Sequence, residues 1–140
     1  MSIRFESLKP LPAADSRYIP GTCNIGPAEI RTRRRFGHLA LVITIGLWAA
    51  LAVYGVPAPV RFVVALPAAG AAEGYLQAFF HFCAGFAARG VFNFGDKVGQ
   101  VTEVLDAEAR RLDRRHSMRI NLASLAIGVA VGILAILLPF

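Results

Sequence analysis

Between Arg61 and Asn93 runs an apolar stretch, RFVVALPAAGAAEGYLQAFFHFCAGFAARGVFN, that nonetheless carries a carboxylate, an amide, an imidazole and a thiol. On a helical wheel Gly70, Glu73, Gly74, Gln77 and His81 fall at i, i+3, i+4, i+7 and i+11, a single stripe, while Tyr75, Phe79, Phe82 and Phe86 form a second stripe on the opposite side. An ionisable group near the centre of a bilayer costs about 3 kcal/mol on insertion scales, so Glu73 must face protein, water or a partner. Two roles follow. In an oligomer, Glu73 and His81 could line a path for protons or small ions. Alternatively Glu73, Gln77 and His81 hydrogen-bond between helices, with Gly70 and Gly74 as a GxxxG contact that lets backbones approach.

The other chemistry-bearing residues are two cysteines and a basic run. Cys23 and Cys83 could act as a thiol pair in a sulfur- or redox-handling module, although a free cysteine on an apolar face is usually a small hydrophobe. No CxxC spacing is present, and His38 and His81 alone make no metal site, so no metal or cofactor is expected. No catalytic triad, nucleotide loop or paired soluble carboxylates can be found, and the chain is not expected to be an enzyme. Arg31, Arg33, Arg34 and Arg35 precede an apolar segment, where they would lie at the level of anionic lipid headgroups.

The elements that must position these residues are helices in a membrane. The chain has 140 residues, 56% of them hydrophobic, and a mean hydropathy of +0.54, too apolar for an ordinary soluble domain of this size. Residues 1–26 hold three of the eight prolines and read as an irregular cytoplasmic arm; no cleavable signal peptide is expected, because the first apolar run begins only near His38. A helix should start at Pro27, supported by Glu29 near its positive end and by a Glu29–Arg33 pair. His38–Val56 is the first transmembrane helix, and Pro57, Ala58 and Pro59 turn the chain into a second, giving a membrane hairpin over 27–93. Residues 94–118 read as an amphipathic cytoplasmic helix, with Val98, Val101, Leu105 and Leu112 on one side. Residues 119–140 form the third transmembrane helix.

Seven Lys/Arg precede His38, seven lie between Arg89 and Arg119, and only Arg61 stands between the first two helices. The positive-inside rule then places the amino terminus and long loop in the cytoplasm and the carboxyl terminus outside. The expected fold class is an all-α membrane protein of three transmembrane helices in the inner membrane. The net charge of +6 comes from residues beside apolar segments, with no nucleic-acid motif, so the expected partners are the bilayer, its anionic headgroups, and further copies of the chain or a larger membrane complex.

Asn24, Gly26, Glu29, Arg33 and Gly37 stand as N-x-G-x-x-E-x-x-x-R-x-x-x-G, and Phe82, Cys83, Phe86, Gly90 and Val91 as F-C-x-x-F-x-x-x-G-V. Over residues 23–93 this resembles the small bacterial inner-membrane hairpin domain of unknown function that occurs alone or attached to rhodanese domains. The chain departs from that pattern in lacking a proline after the cysteine, in its longer hairpin and in its third helix. The resemblance implies a membrane hairpin; a structural or accessory role is the expected function.

Overall fold

The computed structural model describes residues 17–139. The first part of the expected arm, residues 1–16, lies outside the described residues. The elements run α1 (Pro27–Val53), a 3-10 segment (Ala58–Val64), α2 (Ala65–Phe80), α3 (Ala84–Arg89), β1 (Val91–Phe92), β2 (Thr102–Glu103) and α4 (Ala107–Leu137). Three stretches are long and apolar enough to cross a membrane: Pro27–Val53, Ala58–Phe80 and Ala107–Leu137. Their outer faces expose Leu39, Val42, Leu66, Leu122 and Leu125, the surface a bilayer covers.

Pro27 opens α1 after Gly26, as its fixed φ and missing N–H favour at a first helical position. Helix α2 is the middle of the assembly, for α1 and α4 each pack along it and scarcely meet one another. Small residues make both contacts. A Cβ on Gly74 would lie 2.7 Å from the Gly37 nitrogen of α1, and one on Gly128 would lie 2.6 Å from the Ala69 Cβ of α2. Gly132 meets Phe62 and Ala65 in the same way. Without a hydrophobic force between helices in lipid, such backbone approach supplies the van der Waals contact that holds them.

Within the expected hairpin over 27–93 the second helix ends at Phe80, where His81 takes a left-handed conformation (φ 54°), and α3 follows as a separate short helix. The expectation for the next segment is corrected. No helix starts at residue 94. Residues 91–106 instead carry the β1–β2 pair, in antiparallel register Val91 to Glu103 and Phe92 to Thr102. Gly99 there has φ +82°, which a helix cannot contain. The amphipathic and apolar parts of the third helix form one element, α4. At 31 residues it is about 46 Å long against a hydrocarbon core of about 30 Å, so its polar first turns project beyond it.

Those first turns receive the described part of the arm. Asp113, fully buried, accepts hydrogen bonds from the Tyr18 hydroxyl (2.6 Å) and the Gly21 N–H (2.7 Å), and Tyr18 stacks on Phe92 with ring centroids 4.7 Å apart. The residue that caps α4, Asp106, accepts the Ala109 N–H.

Gly74→Ala should destabilise the detergent-solubilised protein by about 1–3 kcal/mol because backbone must move. Gly46→Ala, with nothing within 4 Å of the added carbon, should be neutral or stabilising by up to about 1 kcal/mol. Thermal melts of the two variants measure the difference. Burial, then the adjoining Asp113 carboxylate, raise the Tyr18 phenol above its ordinary range. The docked arm therefore favours the protonated phenol, and its stabilisation is present below the unfolded value of about 10 and lost as pH rises beyond it. Hydrogen exchange at Gly21 should accelerate above that pH, and less so in Tyr18→Phe relative to its own, already faster, baseline.

Candidate functional site

The polar residues converge where the arm passes between the end of α2 and β1. Asn24 is fully buried and its side-chain amide reads the backbone of Cys83 as a strand would: Nδ2 donates to the Cys83 carbonyl (3.1 Å) and Oδ1 accepts the Cys83 N–H (2.6 Å). The His81 carbonyl accepts the N–H groups of Asn24 (3.1 Å) and Ile25 (3.3 Å), while Asn93 N–H donates to the Asn24 carbonyl and Gly26 N–H to the Asn93 carbonyl. The left-handed turn at His81 is what aims its carbonyl at the arm.

Glu29 on the first turn of α1 is buried to 1% exposure. Its Oε1 accepts the Asn93 Nδ2 (2.9 Å) and the Gly99 N–H (2.7 Å), and its Oε2 lies 3.6 Å from an Arg33 nitrogen. A buried carboxylate is tolerable only with such donors and a counter-charge. Arg33 also donates to the Cys83 sulfur at 3.0 Å and lies over the Phe86 ring, 5.7 Å from its centroid. The same sulfur accepts the Phe86 N–H (3.4 Å), capping the first turn of α3.

Arg33 stands at the same height along α1 as its exposed neighbours, but the one-residue offset from Arg34 turns it inward, toward Glu29 and Cys83. Arg31, Arg34 and Arg35 are exposed. The two thiols are both free and are not brought together. Cys83 packs with Ile25 and Phe86, whereas Cys23 packs against the Phe92, Phe94, Val104 and Ala109 cluster. Burial raises the Cys23 thiol, against smaller lowering by the Ile25 carbonyl contact and Arg17.

The expected polar stripe is divided. Gln77 Nε2 donates to Glu73 (3.0 Å), and Gln77 Oε1 accepts the Ala84 N–H (3.2 Å), so this pair joins α2 to the start of α3. His81 has left the helix, and its side chain is exposed. Gly74 faces α1 of the same chain; Gly70 makes only ordinary contact there, with Ala40 at 3.8 Å. Of the aromatic stripe, Tyr75 packs on Gly37 and bonds His38 Nδ1 (2.7 Å), Phe79 is 76% exposed, and Phe82 and Phe86 are buried beyond the helix end.

Among the described residues no group of three His, Cys, Asp or Glu side chains could hold a metal. Sequence reasoning did not assign Asn93, Asp113, Gly128, Gly132 or Arg61. The Gly128-x-x-x-Gly132 spacing was a readable signal; the partners of Asn93 and Asp113, dozens of residues away, were not. No family model, curated protein or solved structure matches this chain.

Cys83→Ala removes the acceptor of two donors and should lower stability by about 1–3 kcal/mol, with Cys83→Ser retaining an acceptor and losing less. In the folded wild type, a maleimide should modify Cys23, which is half-buried, well before Cys83, which is 3% exposed. Peptide mapping after timed labelling distinguishes them.

Proposed function

We propose that this chain is a non-catalytic structural or accessory subunit of a bacterial inner membrane, spanning it three times with the arginine-rich end in the cytoplasm. The single observation that carries this reading is that the chemistry-bearing residues are largely engaged with one another, although Glu29 Oε2 and Arg33 Nε are buried without a hydrogen bond. Asn24, Glu29, Arg33, Cys83 and Asn93 bond to one another and to backbone, closing the site at the charged end of the helices. The glycines of the hairpin resemblance serve packing and turning. Gly26 lies against Phe94, Gly37 against Tyr75 and Gly74, and Gly90 ends α3 at φ 68°. The Lys/Arg asymmetry supports the orientation.

A second reading, a thiol module built on Cys83 alone, is favoured by the Arg33 nitrogen at 3.0 Å from its sulfur, since a cation beside a cysteine promotes thiol reactivity. Cys83 modification at a rate matching or exceeding that of Cys23 would favour it. An ion path has less support, because Glu73 and Gln77 are engaged with each other and His81 lies past the end of α2 with its side chain exposed.

Glu73→Gln keeps volume and an acceptor for Gln77 but cannot ionise. Its thermal stability and its copurifying proteins in mild detergent should match wild type, and liposomes containing wild type should show no proton flux above empty ones. Flux in wild type that Glu73→Gln abolishes would overturn the structural reading in favour of a conducting oligomer.

A further inference from the structure

Because α1 and α4 both lean on α2 without closing on each other, a cleft of about 570 Å³ remains between them. Leu41, Ile45 and Trp48 of α1 form one wall, Val131 and Leu134 of α4 the other, and Ala71 of α2 lies in the floor. Its hydroxyls are already used: Thr44 donates to the Ala40 carbonyl (2.7 Å) and Tyr75 is bonded to His38. An occupant would therefore have to be hydrocarbon.

Size separates the candidates. A membrane-spanning helix, about 10 Å wide and 30 Å long, needs on the order of 2,500 Å³. The cleft, at about 570 Å³, is too small to enclose one. A single extended hydrocarbon chain is slender enough to lie along it. Charge then points to the headgroup. Arg31, Arg34, His38, Leu41, Ile45 and Trp48 follow one another at intervals of three and four residues, so a single stripe of α1 passes from exposed cations directly into the apolar wall. Neither Arg31 nor Arg34 has an ion-pair partner among the described residues.

We propose that the α1–α4 cleft holds one acyl chain of an anionic phospholipid, with the phosphate held by Arg31 and Arg34 at its mouth. This rests on the membrane-spanning reading above. It gives the accessory protein a specific lipid ligand, as distinct from general contact with the bilayer.

Trp48 is the sole tryptophan of the chain and lies in the cleft, so its fluorescence reports occupancy. The full-length protein in mild detergent would be titrated with phosphatidylglycerol or phosphatidylcholine carrying a brominated acyl chain, which quenches on contact. Quenching should saturate at one lipid per chain and require less phosphatidylglycerol than phosphatidylcholine. Arg34→Gln, an exposed change that leaves the melt unaltered, should reduce that preference by about fivefold, the effect of one cation near an anionic headgroup. Val131→Phe should abolish saturable quenching; should it fail to fold, the Arg34→Gln result and native mass spectrometry of wild type still decide. Quenching that rises without saturation and equally for both lipids would overturn the proposal. So would an Ile45→Cys protein that cross-links to its own copy with no lipid retained, which would make the cleft an interface between chains. Failure of the membrane reading shows separately, as a chain released from membranes by alkaline carbonate without detergent.

Discussion

The close approach of α2 to its neighbours on two sides is the constraint on which the molecule depends. On one side Gly74 lies against the backbone of Gly37; on the other, Gly128 and Gly132 lie against Ala65, Ala69 and Phe62. Each contact works only with no side chain in the way, because dispersion falls off within an ångström of separation. The two contacts are also staggered along α2. Gly37 of α1 meets Gly74 past the middle of α2, while Gly128 and Gly132 of α4 meet its first turns at Ala69 and Ala65. With α1 and α4 each seated on α2 and scarcely touching each other, a cleft remains between them.

Holding the arginine-rich end required another kind of interaction. There the chain leaves α2, makes the short α3 and returns as β1, leaving backbone groups that no helix satisfies. Asn24 supplies both a donor and an acceptor to Cys83, and the His81 carbonyl takes two N–H groups from the arm. Glu29 gathers Asn93, Gly99 and Arg33 around one carboxylate. Removing any single member leaves the others buried without partners, which costs more than the bond itself contributes. A polar cluster of this kind fixes one arrangement of arm, hairpin and loop.

What could be read in the sequence was the local part. Apolar runs long enough to span, a proline at a helix start and a Glu29–Arg33 pair four residues apart are set by neighbours along the chain, and Pro27–Val53 and the later spans express them. The stripe through Glu73, Gln77 and His81 was also local, but it assumed that the helix continued; the left-handed His81 breaks the period because its carbonyl has long-range work with Asn24 and Ile25. The same applies to Val98, Val101 and Leu105. Their spacing suits a helix, yet Gly99 turns out of helical geometry and its N–H goes to Glu29, 70 residues away. The pairings of Asn24 with Cys83 and of Tyr18 with Asp113, across 59 and 95 residues, leave no periodic trace at all.

Arg61 shows how one residue can carry both kinds of meaning. By position it is the only cation between the first two spans, and by counting it is the weak exception to the charge asymmetry. By geometry it is buried, and its guanidinium donates to the Val56 carbonyl just past α1 (2.9 Å) and to the Leu138 carbonyl just past α4 (3.1 Å). Those carbonyls belong to helix ends, where a cation is favoured by both the unpaired oxygens and the helix dipole. The segments that follow α1 and α4 are thus tied together at the end away from the arginine run. The polar cluster organises the arginine-rich end of the molecule and Arg61 joins α1 to α4 at the other, so the two ends are held by bonds of different kinds.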